Sequence, residues 1–491
     1  MTNATKPTSS PSTLEAGSPR ALERQVWSTS TAPRYIGLFL WVVYFDQLPR
    51  WTLAVGGLLP AVLGALVAGL LCYCLLYYAP AMWGFKSGQP LTTLGTSTFG
   101  VTGARWLTGI LIGLVQVVWF AVATFYATEL TFEALVSCRL MNPGSLEPIH
   151  LGGLVLPSLV FLVTALTWSF AAALVGHYLL AIISALMNVF PVFMALLLAV
   201  AMGSTIGGVS RFQPLALDPA TMEPVSTAGP RALTMMTELV FGFFATAGAM
   251  AADWGAVNRT ERDVKLGGWF GVVFASWTVA TLALLTVAGA LGRLSSPVGP
   301  AGISDLQHWD FSFRSAVSQG IGGRLAGTIL MVFGLGSLAP TCFSAYLFGH
   351  RFHVAWPRIK RIHWTLIGTT AAWLLIVGGV AGQLETIFSL MGAVVAPLVA
   401  ALSADYFRQR GAWRGGRLGV NGAGVVAWAV GLAVGLVPIV SQAVSWRPGI
   451  RFQPAAVFAY GAAFVTYLIL AYLGAEAPAA SARSLTASDV P

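Results

Sequence analysis

The sequence predicts an all-α membrane protein of about twelve transmembrane helices, built as two five-helix halves of inverted topology with helices 1 and 6 broken. Three observations carry this. Of 491 residues, 56% are hydrophobic and 9% charged, against about 25% charged in soluble domains. Apolar runs recur along the chain, each near the roughly 20 residues that a span needs at about 1.5 Å rise. The first run is interrupted by Asp46-Gln47-Leu48-Pro49-Arg50, and the sixth is rich in small residues at its centre.

The runs fall at about 35–58, 61–79, 106–137, 152–173, 176–203, 233–255, 266–291, 325–349, 363–382, 384–405, 422–444 and 453–473. They divide the chain into a polar tail (1–33), a core (34–410) with halves near 35–203 and 232–406, two further helices (411–474) and a second tail (475–491). The first tail has no apolar segment of signal-peptide type. With the N-terminus inside, 18 of the 27 lysines and arginines fall on the cytoplasmic side, the bias expected of a multi-pass inner-membrane protein with both termini cytoplasmic.

In span 1, Pro49 lacks an N–H and clashes with the carbonyl four residues back, which breaks or kinks a helix. Freed backbone groups are tolerated in hydrocarbon only inside protein or along a polar cavity, where many carriers hold solute or ion. A carboxylate such as Asp46 costs about 2.5–3.5 kcal/mol at the bilayer centre, and desolvation would make it a proton carrier. Gln47 beside it is placed to bond a ligand or cap the broken helix. The other reading has two short helices and Asp46 in the headgroups. In span 6, Gly248 and its neighbouring alanines allow either local unwinding or a tight packing seam. Spans 1 and 6 lie five apart, as an inverted repeat requires.

Other polar residues have plainer readings. Glu129 and Glu133 share a face of span 3 and read as an external pair in water. Glu238 sits in the N-terminal part of span 6, where the dipole favours an acid. Asp253 and Asp405 end their spans near Arg259 and Arg408. The external segment 294–323 carries an amphipathic piece, Asp305–Gln319, readable as a gate or an inert loop.

The net charge of +9 fits basic loops against an anionic leaflet. Without a basic stripe interleaved with aromatics, no nucleic-acid partner is expected. Cys72, Cys74, Cys138 and Cys342 form no CxxC, so neither disulfides nor a metal site is indicated. No HExxH, acid-rich cluster or Gly-rich phosphate loop marks an enzyme.

Four stretches resemble a known family in order and register. Ala252-Asp253-Trp254-Gly255-Ala256-Val257-Asn258-Arg259-Thr260-Glu261-Arg262-Asp263 resembles the "Asp-Phe-Ser/Thr-Arg-Tyr/Phe…Arg-x-Asp" signature of nucleobase–cation symporter family 1. Ser97-Thr98-Phe99-Gly100-Val101-Thr102-Gly103-Ala104, Val118-Trp119-Phe120-Ala121 and Ala404-Asp405-Tyr406-Phe407 resemble three further motifs of that family. The resemblance implies a leucine-transporter-like fold and an alternating-access carrier for a small heterocycle, coupled to H⁺ or Na⁺, with no organic cofactor. It implies that Trp119 and Phe244 sandwich the solute. The family's base-binding glutamine falls on Ala123 and its asparagine on Ala345. Its sodium-site hydroxyls fall on Ala339 and Pro340, unless a register slip makes Thr341 or Ser344 the ligand. Those departures point to a different or more apolar solute. An amino-acid permease of the same fold, binding its solute near unwound backbone at Gly248, and a non-transporting sensor are the alternatives.

Overall fold

The computed structural model describes residues 24–151, 154–216, 227–294, 311–444 and 453–479. The outer parts of both tails and residues 305–310 of the amphipathic piece lie outside these. Ten described helices are long and apolar enough to cross a membrane. To these add the shorter apolar helix Arg361–Val377 and a first passage made of four short helices, consistent with about twelve passages.

Span 1 is broken, but not where Pro49 points. It runs as Thr31–Phe39, Val42–Phe45, Leu48–Trp51 and Leu53–Gly56. The main departure is Trp41, extended at φ −67°, ψ 124°. Pro49 instead lies in the first turn of Leu48–Trp51, where a missing N–H costs nothing. Gly57, at φ +84°, makes the tight turn into span 2, a conformation that favours glycine.

Span 6 is bent rather than unwound. Ala228–Ala249 is followed by Ala251–Gly255, and Met250 between them keeps φ −76°, ψ −4°. Gly248 is helical. A Cβ there would lie 2.7 Å from the Leu76 Cβ, so its small side chain serves close packing against span 2. Span 6 is thus interrupted at Met250 by a bend, and at Gly248 the packing seam holds rather than local unwinding.

Backbone irregularities repeat between the halves. Spans 2 and 7 each carry a widened π turn, at Cys72–Tyr77 and Trp269–Phe274. Spans 5 and 10 each hold an internal proline, Pro191 and Pro397. Span 3 begins earlier than hydropathy indicates: Gly100, at φ +79°, turns the chain out of a preceding helical stretch that begins at Leu91. Span 4 begins later, at Leu159, where Ser158 caps the helix by accepting from the Phe161 N–H. The residues before it form a small antiparallel pair, Ile149–Leu151 with Leu154–Leu156, a strand element that hydropathy does not reveal.

The polar residues near span ends act as clasps. Glu238 is buried mid-helix and does not serve its own N-terminus. Its Oε2 accepts the Ala456 N–H at 3.0 Å, capping Ala455–Tyr472 and docking span 12 on the core. Asp405 does not pair with Arg408. It accepts from Ser97, Thr98 and Gln409 and lies 3.5 Å from Arg417. In the signature stretch, Asp263 completes a capping box with Thr260, and Asn258 accepts from Ser30 and Thr31.

Glu238→Ala strands an amide N–H in the core, so it should destabilise the protein by about 1–3 kcal/mol. Glu238→Gln, still an acceptor, should cost less. Thermal unfolding in detergent measures both, and equal melting of wild type and the Ala variant would remove the capping role.

Candidate functional site

Aromatic side chains from four spans converge at the break in span 1. On span 3, Gln116, Trp119 and Ala123 share a face by their spacing of three and four. Facing them on span 6, Thr246 and Phe243 share a face in the same way. The Trp119 Nε1–H donates to Thr246 Oγ1 at 3.0 Å. The Trp119 ring meets Phe243 edge-on, with centroids 5.5 Å apart and planes at 85°. Trp41 lies 5.8 Å away and Phe388 of span 10 lies 6.0 Å away. All four rings are buried.

Phe244, the residue that the family motif selects, is not in this cluster. It stacks on Phe39 at 5.6 Å and 9° and touches Tyr35. Neighbouring helical residues point about 100° apart, so an offset of one residue in the motif count moves the ring to another face. Phe243 takes the place opposite Trp119.

The polar candidates are also redistributed. Ala123 is buried and brings no hydrogen-bonding group. Ala345 packs with Phe120 and Phe348 in a second core, facing Gly176 of span 4, where an added Cβ would lie 3.3 Å from its own. Ala339 is apolar, and the Thr341 hydroxyl donates to the Ser337 carbonyl at 2.6 Å. Ser344 donates to Gln116 Oε1 at 3.1 Å. The span 8 hydroxyl that reaches span 1 is Ser337, which accepts the Trp41 indole N–H at 3.0 Å. It stands at a kink between Gly323–Gly336 and Leu338–Ala355. Gln116 and Ser337 escape the motif reading; the signals for them are the three-residue spacing to Trp119 and the flanking Gly334 and Gly336.

Asp46 is fully buried and is not in headgroups, nor does it face the aromatic cluster. Its carboxylate accepts the Arg314 backbone N–H at 3.0 Å and the Gln47 side-chain amide at 2.9 Å, so Gln47 serves Asp46. Its carbonyl accepts the Phe313 N–H at 2.9 Å. Phe313 and Arg314 open the short helix Phe313–Gly320, the described remainder of the amphipathic piece. The Arg314 guanidinium bonds Glu129 and lies 3.9 Å from Glu133 and 4.0 Å from the second Asp46 oxygen. Ser318 donates to Glu133 at 3.0 Å. Glu129 and Glu133 are therefore ion-paired rather than simply hydrated. Beneath them Phe313 meets Phe45 and Phe333 edge-on. This end is sealed.

The arginine-rich end is open. A cavity of about 710 Å³ is lined there by Met250, Asp253, Trp254, Trp106, His350 and Arg351, among others. Asp253 does not pair with Arg259; its Oδ1 accepts the Leu91 N–H at 3.0 Å.

This fold, a five-plus-five inverted-repeat core of membrane helices around a broken first span, is the leucine-transporter-like fold of secondary carriers. Among solved structures the chain is similar to Mhp1, a nucleobase–cation–symport-1 family transporter, in a closed conformation with bromovinylhydantoin bound. The TM-score is 0.61 at 12% identity, over 96% of this chain and 98% of that one. The inward-facing form of Mhp1 gives 0.59 at 12%, over 93% and 94%. A substrate-bound, outward-open Na⁺-coupled sialic acid symporter gives 0.52 at 12%, over 94% and 93%. No protein-family model matches the chain, and no curated protein does. At this identity the likeness establishes the fold, the one that the motif resemblance implies.

If the ring cluster holds a solute, a compound that raises the melting temperature of the wild type should also stabilise Phe244→Ala but not Phe243→Ala. Both variants leave a core cavity costing about 3–5 kcal/mol, so the ligand-induced shift is the quantity to compare. Equal shifts in the two would place the site elsewhere.

Proposed function

We propose that this chain is a secondary transporter that moves a small, π-faced solute across a membrane by alternating access. The observation that carries the reading is the buried Trp41–Trp119–Phe243–Phe388 cluster at the break in span 1, with the Arg314 ion pairs towards one end and the larger cavity towards the other. The distribution of lysine and arginine supports a cytoplasmic basic end, which would turn the larger cavity towards the cytoplasm. Aromatic partners would each give a planar solute about 0.5–1.5 kcal/mol beyond area burial. Mhp1, similar in fold, was solved with a hydantoin bound, which supports a heterocyclic solute. Ala123 and Ala345 offer no hydrogen bonds, which disfavours a strict nucleobase specificity.

For coupling, a buried cluster of acids supports H⁺. The Ser337, Thr341 and Ser344 hydroxyls each donate within the protein, and Ser337 also accepts from Trp41. Among the described residues, Asp46, Glu129 and Glu133 surround Arg314, with Tyr126 beneath its guanidinium and Ser318 alongside. Fully ionised, three acids outnumber that base, and a single proton relieves part of the excess.

Uptake into proteoliposomes, screened with nucleobases, hydantoins, vitamins and amino acids under pH and Na⁺ gradients, tests this. Accumulation should follow the pH gradient. No gradient-driven flux of any compound would reject the transporter reading, and binding without counterflow would identify a sensor. Asp46→Asn, and Glu129→Gln with Glu133→Gln, should lower pH-driven accumulation at least tenfold while solute exchange continues. Unchanged accumulation in both would remove the cluster from coupling.

A further inference from the structure

Where spans 2 and 10 end, two cations share a hollow. A cavity of about 390 Å³ is lined there by Lys86 and Ser87 from the end of span 2 and by Arg410, Gly411, Ala412 and Trp413 from the loop after span 10. Span 10 closes in a left-handed turn: the Gly411 N–H donates to the Tyr406 carbonyl at 2.8 Å, and Arg410 and Gly411 take φ +54° and +78°. Arginine rarely adopts that conformation. Here it brings the chain back against span 2, so that a Cβ on Gly411 would lie 3.0 Å from the Lys86 ammonium. Both cations are exposed, and among the described residues neither forms an ion pair. Lys86 meets the neutral Tyr406, 3.5 Å from its hydroxyl and 5.7 Å from its ring centre. Glu261 acts on Lys86 from a distance while paired with Lys265 at 2.8 Å. Arg408 and Arg417 nearby are matched by Glu476, at 2.5 and 2.6 Å.

The hollow also sits at a bilayer edge. Lys86 is in the last turn of span 2, and Arg410 lies just past span 10, which ends at Arg408. Phe407 is 50% exposed, with its ring 6.3 Å from that of Phe464 on span 12. An exposed aromatic at the end of a membrane helix belongs to the lipid interface. We infer that this hollow holds the headgroup of an anionic phospholipid, with its phosphate between Lys86 and Arg410 and an acyl chain along Phe407. A phosphate suits the pair, since a guanidinium fork takes two of its oxygens and an ammonium acts on it as a point charge. Basic pockets between membrane helices receive such headgroups. A zwitterionic headgroup would set its own cation against the same two charges. The site is separate from the ring cluster and independent of the solute carried.

Native mass spectrometry of the purified full chain tests this with dioctanoyl phosphatidylglycerol, dioctanoyl phosphatidylcholine and glycerol 3-phosphate. Phosphatidylglycerol should be held about tenfold more tightly than either of the others. Lys86→Gln combined with Arg410→Gly should erase its advantage over phosphatidylcholine. Glycine relieves the left-handed turn at position 410, so this variant should melt no lower than the wild type, and its lost preference is then not a lost fold. Arg139→Gln with Arg211→Gln, which removes two charges at the other end, should keep the preference. Equal retention of the two lipids, a preference that survives Lys86→Gln with Arg410→Gly, or one lost equally in the Arg139 and Arg211 pair would overturn the inference. Glycerol 3-phosphate held as tightly as phosphatidylglycerol would also overturn it, marking a site for a soluble phosphate ester.

Discussion

Breaking a helix inside a bilayer frees backbone groups that lipid cannot satisfy, and the fold is organised around the break at Trp41. That residue fills the gap it makes. Its indole N–H goes to Ser337 and its ring to Trp119, so spans 1, 3 and 8 meet at one side chain. Ser337 stands at the kink of span 8, which puts a donor from one interrupted helix opposite an acceptor from another. Losing Ser337 leaves the Trp41 N–H buried and unpaired, at about 1–3 kcal/mol, whereas without Trp41 the Ser337 hydroxyl keeps its bond to the Phe333 carbonyl. Span 6 closes the same space without unwinding, because Gly248 lets it settle against Leu76 in the widened turn of span 2.

The two ends of the molecule differ in how their charges are matched. At one end Arg314 is gripped by Glu129, Glu133 and Asp46, and its short helix is pinned through two backbone N–H groups on Asp46. At the other, Arg351 and Asp253 line one cavity and act on each other without a direct ion pair. In low dielectric an ion pair is worth several times its value in water, so joining or parting either set weighs on which end opens. Under the proposed cycle, a proton at one end and a solute at the other would each bias that equilibrium only through their unequal affinity for the two states.

Much of the fold is legible in the sequence because span number and length follow from hydropathy, a one-dimensional property. What fails is the local rule applied without its neighbours. Pro49 reads as a helix breaker, yet it starts a short helix, and the break falls at Trp41, where tertiary contacts hold the extended backbone. The cost of burying Asp46 announces a partner, but no local pattern identifies Arg314, 268 positions away. Phe244 shows how narrow the margin is: the motif selects a ring that meets Phe39, while Phe243, one residue earlier, is the one that meets Trp119. Gln116 and Ser337 are ordinary polar residues until the packing of spans 1, 3 and 8 gives them a place.

The inverted repeat is plainer in the backbone than in the residues, and the bilayer supplies the reason. Apolar side chains facing lipid exchange freely, since any of several satisfies the same requirement. A main-chain N–H or C=O has no such latitude without water, so a widened turn or a helix-bound proline needs a particular packing neighbour. Cys72–Tyr77 and Trp269–Phe274 share no sequence but share that deviation, as Pro191 and Pro397 do in spans 5 and 10. The same logic accounts for 12% identity beside a TM-score of 0.61 with Mhp1. The course of the chain is kept where backbone groups have one solution, while side chains drift wherever any apolar residue will serve.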